Sequence, residues 1–325
     1  LLTDSSHGTN PATSSMCGFE IGVVSTDSEG NVDMKSLNTL MKHEVAALTL
    51  TLPTTLGLFD PHVTEISELV HKRGGLLLGD GANLNSLIGY AKFGEMGFDC
   101  IMVNLHKTFS TPHGGGGPGS GPVCAKQKLS EFLPTPLVAR EDGRYKLVAP
   151  AKSIGAIGGF YGSFGVLVKA YAYVRSLGAE GLKQVAQDAV INANYIKEKL
   201  KAYYYLPYDR TCMHEVVFSH KRQAAKGVNA MDIAKRLLDY GLHPPTVHFP
   251  LVVDGALMIE PTETESKATL DEFIQAMIEI AKEAKADPDI LHSAPHNTPV
   301  RRLDSARAAR QPDLRWQISE METEK

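Results

Sequence analysis

The alternation of short apolar runs with amphipathic segments most constrains the fold of this chain. The runs at 45–50, 76–78 and 100–105 are almost continuously apolar, whereas the segments 33–43 and 61–73 carry apolar residues at helical spacing. Strands that are buried on both faces have continuous apolar sequences, and strands that alternate with helices form parallel sheets. The pattern therefore predicts an α/β fold in which helices cover a mostly parallel sheet.

The second half of the chain predicts a different arrangement. A long helical pattern from Phe160 to Tyr203 is interrupted at Gly178–Gly181, and mixed strand and helix patterns follow it. The expected strands are 215–219 and 257–260, and the expected helices are 230–240 and 266–285. We expect a large domain over 1–177, a small α+β domain with an extended tail over 178–316, and a disordered terminus at 317–325.

Composition excludes several classes of protein. A net charge of −4 and a pI near 6.3 disfavour nucleic acid or an anionic membrane surface as the main partner. No apolar run approaches the roughly 20 residues that span a bilayer. The four cysteines lie far apart, which predicts reduced thiols in the cytoplasm, and the histidines show no metal-binding spacing. The chain begins without Met and without a signal peptide, so we expect it to be truncated at its N-terminus.

Lys107 follows one of the apolar runs and precedes a run of glycines. Burying an ammonium group at a strand end costs several kcal/mol, and desolvation lowers the pKa of a lysine. Such a lysine is a nucleophile for an aldehyde, which makes Lys107 a candidate to hold pyridoxal phosphate (PLP) as a Schiff base. For an isolated His-Lys pair, a surface lysine beside a Gly-rich turn is the more common alternative.

Asp80 and Ala82 follow the preceding apolar run. PLP enzymes place a carboxylate against the pyridine nitrogen, because the protonated ring is the better electron sink, and a small residue against one face of the ring. Taken alone, an Asp after a strand is more often a helix N-cap. Because ligands of open α/β sheets bind at the carboxyl ends of strands, Asp80 and Lys107 together favour a PLP site.

Two further segments are candidates for ligand contacts. His7 is a candidate to stack on the cofactor face opposite Ala82, with Thr9 and Asn10 as polar contacts, although a loop with an Asn-Pro turn explains the segment equally well. The glycine run 114–121 lacks the G-K-[S/T] ending of a P-loop. It predicts instead a close backbone approach to a ligand or a tight return into a strand at 122–125.

Several segments together closely resemble the glycine decarboxylase P-protein of the glycine cleavage system, and more narrowly the C-terminal subunit (subunit 2) of its two-subunit bacterial form. The resemblance runs from Leu1 to about Trp316. The matching segments are HGTNPA at 7–12, DGANLN at 80–85, LHKTFSTPH at 105–113, CMHE at 212–215, HPPT at 243–246, EPTETESK at 260–267 and TPVRRLD at 298–304.

The resemblance implies a fold-type-I PLP enzyme that decarboxylates glycine and transfers the aminomethyl group to the lipoyl arm of the H-protein. It implies that Lys107 binds the cofactor, that Asp80 pairs with the pyridine nitrogen and that His7 stacks on the ring. His106 and Asn104 are expected to contact the phosphate. The implied partner is P-protein subunit 1, in a hetero-oligomer with two copies of each subunit. The family is longer at its N-terminus, where a Gly-rich helix start would hold the phosphate.

Two alternatives stay open at this point. The chain could be another fold-type-I enzyme, such as a desulfurase or an aminotransferase. Such enzymes share the Asp, Lys and His residues at the cofactor but lack the glycine-run and Glu-Pro-Thr-Glu segments. It could also be a catalytically silent fragment or subunit. Retention of Asp80, Lys107 and His7 argues against a degenerate site.

Overall fold

Six strands between Leu2 and Ala125 form the main sheet in the computed structural model, which describes residues 1–42, 44–113, 119–159 and 161–315. They are β1 (Leu2–Thr3), β2 (Val23–Val24), β3 (Ala47–Thr51), β4 (Leu76–Gly81), β5 (Cys100–Val103) and β6 (Val123–Ala125). Their spatial order is β2-β1-β3-β4-β5-β6, and every neighbouring pair is parallel except β5 and β6. This mostly parallel sheet is the one that the apolar runs predict.

Three helices connect the first strands: α1 (Thr9–Met16), α2 (Met34–Leu40) and α3 (Val63–Lys72). Asp33 caps α2 by accepting a hydrogen bond from the backbone N–H of Lys35, which satisfies one of the free donors of the first turn. In α3, Ile66 and Val70 face the sheet and belong to one core with Leu50 of β3. The helical spacing in the sequence therefore marks the buried face correctly.

The two faces of the main sheet differ in exposure. Leu48 and Leu50 lie against Leu77 of β4 in the core beneath α2 and α3, and all three are fully buried. On the opposite face the register aligns Thr51, Asp80, Met102 and Val123. Met102 and Val123 are 39% and 52% exposed, so this face is open towards β6, whereas Asp80 is buried.

A hairpin and a long helix follow the main sheet. The hairpin consists of β7 (Leu137–Glu141) and β8 (Arg144–Val148), and the helix is α4 (Phe164–Leu200). The backbone of α4 is non-helical at Gly178, within the interruption expected from the sequence. The hairpin was not expected. Its turn is Asp142-Gly143, with positive φ at both residues, which is the geometry of tight hairpin turns.

The last part of the described chain contains a small antiparallel sheet of order β10-β11-β9. Its elements are β9 (Val216–Ser219), α5 (Lys221–Ala224), α6 (Ala230–Asp239), β10 (Thr246–Val247), β11 (Ala256–Ile259), α7 (Lys267–Ala286), α8 (Asp289–Ser293) and α9 (Ser305–Arg310). Phe218 and Leu257 pack with Leu237 and Met277 in a core separate from that of the main sheet. A smaller cluster joins Leu58, after β3, to Val217 of β9, and the division into two domains near 177 stays a prediction.

Some expectations concern residues that the structure does not describe. The glycines 114–117 and the terminus 317–325 lie outside the described residues. Gly121, at the end of the glycine run, is described: a Cβ atom there would overlap the carbonyl oxygen of Val103. This close approach of two backbones agrees with a tight return into β6. Within the described ranges, no helix is long and apolar enough to cross a membrane.

Candidate active site

The candidate cofactor residues lie where β4 and β5 end. Asp80 is the fifth of the six residues of β4, and Lys107 lies in the turn that follows β5. These two strands are parallel and adjacent, with Asp80 beside Met102. Both residues therefore lie at the carboxyl edge of the main sheet, where ligands bind in α/β folds.

Asp80 is buried, and hydrogen bonds hold its carboxylate. Asn10 Nδ2 donates to Oδ2 at 2.9 Å, Thr51 Oγ1 donates to the same oxygen at 3.3 Å, and the backbone N–H of Ala82 donates to Oδ1 at 3.0 Å. No α-helix follows β4 directly, so the N-cap alternative for Asp80 is wrong. The bond from Asn10 also joins the His7–Asn10 segment to the strand end.

The expected burial of Lys107 is wrong. Its side chain is exposed and lines an open cavity of roughly 580 Å³, together with Lys169 and residues from the Glu263 segment. The turn is fixed from both sides: the N–H of Leu105 donates to Ser120 O at 3.0 Å, and Thr108 Oγ1 accepts from the N–H of Leu84 at 2.7 Å. The sequence located the lysine at the strand end but could not show that the surrounding space is open.

The cavity has polar groups that fit a polar, anionic ligand such as PLP. Asn85 Oδ1, His106 Nδ1 and Thr111 Oγ1 are buried and have no hydrogen-bond partner in the described part of the chain, and all three residues line the cavity. Buried polar atoms are normally paired, so three such atoms around one cavity suit the binding of a polar ligand. Lys107 and Lys169 add positive charge suited to a phosphate or a carboxylate.

His106 is the one predicted phosphate contact that lines this cavity. Burial lowers the pKa of its imidazole, and the charges of His113 and Lys107 lower it further. The ring of His106 lies edge-on to that of His113, with 4.4 Å between centroids. Asn104 does not line the cavity, and its carbonyl accepts from the N–H of Lys107 at 3.4 Å.

The remaining predicted residues do not line the cavity. His7 is exposed, and its Nδ1 lies 2.8 Å from Thr9 Oγ1. Its ring meets that of Phe249 edge-on at 5.5 Å. Ala82 is half-buried in the turn after Asp80. The roles of His7, Thr9 and Ala82 around a cofactor ring therefore stay predictions.

A second group of titratable side chains, His214, Glu215 and Glu260, lies near Lys107. Nε2 of His214 is 3.6 Å from Glu215 Oε2, and ligand atoms of all three residues lie within 4.8 Å of one another. His214 and Glu215 are 3% and 6% exposed, whereas Glu260, just after β11, reaches solvent. The sequence assigned none of them a role.

Close backbone packing brings this group to the main sheet. The backbone N–H of Met213 donates to Gly57 O at 2.7 Å, and a Cβ atom at position 57 would overlap the carbonyl oxygen of Glu215. Gly57 has a φ of +73°, which favours glycine. Only glycine therefore allows the turn after β3 to lie this close to Glu215.

Burial dominates the protonation of this second group. It lowers the pKa of His214 to about 3, and the positive charge of Lys107 acts in the same direction. Burial and the charge of Glu260 raise the pKa of Glu215 well above its ordinary value, against the opposing effect of Lys107. Burial also raises the pKa of Glu260 although that residue reaches solvent, while Asn83 and Lys107 lower it. At neutral pH the imidazole is neutral, and burial favours the protonated form of Glu215.

Two asparagines connect the turn after β4 to the segment after β11. Asn83 Nδ2 donates to Glu260 Oε1 at 2.6 Å, and Asn85 Nδ2 donates to Glu263 Oε2 at 3.1 Å. Glu263 also accepts from the hydroxyl of Tyr173 at 3.5 Å, and its charge helps burial to raise the pKa of that phenol to about 12. The turn that carries Asp80 and Ala82 is thus joined to the small-sheet region by side-chain hydrogen bonds.

Two family models match the chain in different places. The glycine dehydrogenase C-terminal domain matches residues 185–298, and the class-V aminotransferase model matches residues 4–139. A probable glycine dehydrogenase (decarboxylating) subunit 2 from Caldanaerobacter subterraneus subsp. tengcongensis is 55% identical over 317 residues, and its counterpart from Desulforamulus reducens is 54% identical over 318. Both alignments cover 97% of this chain. The chain belongs to the glycine dehydrogenase (decarboxylating) subunit 2 family.

The chain spans 65% and 66% of the length of these two members of the family. Among solved structures, glycine decarboxylase (P-protein) in inhibitor-bound form matches with a TM-score of 0.73 at 20% identity, over 86% of this chain and 64% of that one. A cysteine desulfurase from Thermococcus onnurineus NA1 matches at 0.66 with 16% identity, over 86% of this chain and 72% of that one. The expected fold type I is therefore confirmed.

Sequence reasoning missed the residues whose neighbours come from distant segments. His214 and Glu215 directly precede the apolar strand β9, and a polar pair at that place is the signal that could have marked them as buried. Glu260 has the same relation to the end of β11. Nothing local in the sequence indicates that these three side chains meet near Lys107, because their approach depends on the packing at Gly57.

Proposed function

We propose that this chain is the cofactor-binding part of a PLP enzyme that decarboxylates glycine and transfers the aminomethyl group to the lipoyl arm of an H-protein. The observation that carries the proposal is the placement of Asp80 and Lys107 at the carboxyl ends of adjacent parallel strands, within a chain of the glycine dehydrogenase subunit 2 family. The reaction is taken from the names of the relatives, and the side chains of the candidate site are chemically suited to it.

Lys107 and Asp80 have complementary tasks in this proposal. The amine of Lys107 is accessible from the cavity and would bind the aldehyde of the cofactor. Asp80, fixed by Asn10 and Thr51, would keep a proton on the pyridine nitrogen. When bound, PLP supplies an electron sink for the pair of electrons released with CO2. His7 and Ala82 would enclose the ring.

Other groups of the cavity suit the anionic parts of the ligands. His106 Nδ1 and Thr111 Oγ1 lack partners among the described residues and would bind the phosphate or the glycine carboxylate. Lys169 lines the same cavity and adds a cation. Asn104 and Thr9 are the remaining proposed contacts. Because neither residue lines the cavity, both contacts require the cofactor to extend beyond it.

The proposed partners are glycine, a lipoylated H-protein and the other P-protein subunit, in a hetero-oligomer with two copies of each subunit. Large apolar side chains on the surface support a protein partner, because monomers rarely expose extended apolar patches. The exposed ones between 132 and 171 are Phe132, Val138, Tyr145, Leu147, Ile154, Ile157, Tyr161, Phe164, Leu167, Val168 and Tyr171. We place the protein in the cytoplasm on the evidence of its four unpaired cysteines.

Reductive trapping tests the cofactor role. Full-length protein is loaded with PLP, treated with borohydride, and digested to locate the modified lysine by mass spectrometry. We expect the near-visible band of a PLP–lysine adduct, its loss on reduction, and a label on Lys107. Lys107→Ala abolishes both, whereas the matched control Lys169→Ala keeps the label on Lys107. A label on Lys169, or an unchanged band in Lys107→Ala, would refute the assignment.

Exchange of labelled CO2 into glycine tests the reaction. With the other subunit and lipoylated H-protein present, we expect glycine-dependent exchange that Lys107→Ala removes. A preference for cysteine or for a 2-oxo acid over glycine would indicate a desulfurase or an aminotransferase instead. Trapping on Lys107 without turnover of any of these substrates would indicate a silent subunit.

A further inference from the structure

Two carboxyl groups, Glu215 and Glu260, lie side by side close to Lys107. Their carboxylate oxygens lie within 4.8 Å of each other and of the His214 imidazole. Glu215 is buried at the start of β9, and Glu260 follows β11 and reaches solvent. The strands are antiparallel neighbours with Ile259 paired to Val216, so the backbone itself places the two side chains together.

Ionising both carboxyl groups of this pair is costly in free energy. Two carboxylates at this separation repel each other, and one of the two is removed from water. The titratable groups whose charges reach Glu215 are Glu260, which raises its pKa, and Lys107, which lowers it; burial outweighs both. His214 adjoins Glu215 but is neutral, because burial holds its pKa near 3. Close spacing and burial therefore both favour a shared proton on the pair.

A hydrogen bond joins the pair to the turn that borders the Lys107 cavity, although Glu260 itself lines a separate cavity with His243 and Pro245. Glu260 accepts a hydrogen bond from Asn83, which lies in the turn after Asp80 and Ala82. Asn85 of the same turn lines the cavity and binds Glu263. The exposed member of the pair is thus hydrogen-bonded to the turn that borders the candidate cofactor site.

The proposed reaction consumes a proton. In decarboxylative transfer of an aminomethyl group to a disulfide, the C–C bond to the carboxylate breaks and CO2 leaves. The electron pair forms a C–S bond with one sulfur, and the S–S bond breaks. The second sulfur is released as a thiolate, which becomes a thiol by taking up one proton. Charge and atoms balance only when the site or the solvent supplies that proton.

We propose that Glu215 and Glu260 jointly hold the proton that this step consumes, with Asn83 joining Glu260 to the turn that borders the Lys107 cavity. The inference rests on the proposed function for the identity of the step, whereas the stored proton itself is independent of cofactor and substrate. Asn83 is a positioning residue in this arrangement, because it orients Glu260. After transfer, the pair regains its proton from solvent through the exposed Glu260.

A divalent cation is the competing occupant of the same three side chains. Histidine and two carboxylates form a common ligand set. Here the nearby Lys107 ammonium opposes a second positive charge, and its effect on all three groups is evident in their pKa shifts. Elemental analysis of the purified full-length protein separates the two occupants: stoichiometric zinc or manganese that is lost in Glu215→Gln would overturn the proton proposal.

Infrared spectroscopy detects the proton directly in the full-length protein without PLP. A protonated carboxylic acid has a carbonyl stretch resolved from those of carboxylates and amides. We expect this band at neutral pH in the wild type and its loss in Glu215→Gln. Glu260→Gln removes the neighbouring charge, so the band should persist but titrate at lower pH. The matched control Glu272→Gln, on the exposed face of α7, should leave the spectrum and its titration unchanged.

Steady-state exchange of CO2 with the partner subunit and H-protein tests the use of the proton. Loss of a proton donor typically costs 10²–10⁴-fold, so we expect Glu215→Gln to lower kcat by about 100-fold or more. The decline of the wild-type rate towards high pH, where the pair loses its proton, should vanish in the variant. Glu272→Gln should retain the wild-type rate and pH profile.

The outcomes distinguish this inference from the proposed function. If borohydride traps PLP on Lys107 but the wild type lacks the infrared band, the stored proton is refuted and the cofactor role stands. If the band is present but glycine is not a substrate, the proposed function fails and the pair serves another reaction. If the band is present and Glu215→Gln has the wild-type rate and pH profile, the proton is not used in turnover. If Glu215→Gln does not fold, Glu260→Gln tests the stored proton instead: a band that titrates at the wild-type pH in this variant would refute the shared proton.

Discussion

The neutral, buried His214 makes a quantitative prediction about acid stability. Its imidazole is 3% exposed, and its pKa is lowered from 6.5 to about 3. Between these values the unfolded chain binds a proton at this residue and the folded chain does not. The contribution of His214 is therefore fully present above pH 6.5 and is lost as the pH falls, by about 1.4 kcal/mol per pH unit. At about pH 5 the loss amounts to roughly 2 kcal/mol.

The variant His214→Gln removes this titration without changing the charge of the folded protein at neutral pH. Contributions of groups distant from His214 are common to both proteins and cancel in the difference. Urea denaturation at about pH 7.5 and about pH 5 should therefore show the wild type losing roughly 2 kcal/mol more than the variant across this interval. Parallel losses in the two proteins would refute a neutral, buried His214, because the imidazole would then be protonated in the folded state as well.

Three further substitutions test other parts of the structure. Asp80→Asn removes the charge expected at the pyridine nitrogen and should weaken PLP binding by about 1.5–3 kcal/mol, measured by spectroscopic titration; unchanged affinity would contradict its role. Asn229→Ala breaks the capping box with Asp232 at the start of α6 and should cost about 1 kcal/mol in thermal unfolding. Leu50→Ala leaves a cavity in the core beneath α3 and should cost about 2–5 kcal/mol in urea, whereas a loss below 1 kcal/mol would indicate that the core refills.

The main sheet could be predicted because its signals are local. The strands β3, β4 and β5 follow short apolar runs, and α2 and α3 follow segments with helical spacing, so these elements appear within a few residues of their expected bounds. The short β1 and the helix α1 carry no such signal and were not predicted. Parallel strands end at the same edge, which is why a lysine and an aspartate 27 residues apart in sequence could be placed near each other. The end of the strand at which a residue lies can thus be predicted from the sequence.

The exposure of side chains and their long-range packing could not be predicted from local sequence signals. Lys107 was expected to be buried because it follows a buried strand, but exposure depends on what covers the edge of the sheet, and here the space is open. The hairpin at Asp142-Gly143 was missed although Asp-Gly is a strong turn signal, because its strands carry charged residues and lack a clear apolar alternation. His214 and Glu215 required the contact with Gly57, 158 residues from Glu215 in sequence.

The protonation state of the Glu215–Glu260 pair connects the packing of the two regions to the chemistry at Lys107. The turn at Gly57 and the small sheet exclude water from Glu215, which raises its pKa and favours its protonated form. Any motion that separates β9 from this turn would hydrate Glu215, lower its pKa towards that of an exposed glutamate and release the proton. The proposed proton donor therefore depends on the packing of the two regions against each other. Loosening the contact between Asn83 and Glu260 should have a weaker effect, since that hydrogen bond orients the exposed carboxyl and does not shield the buried one.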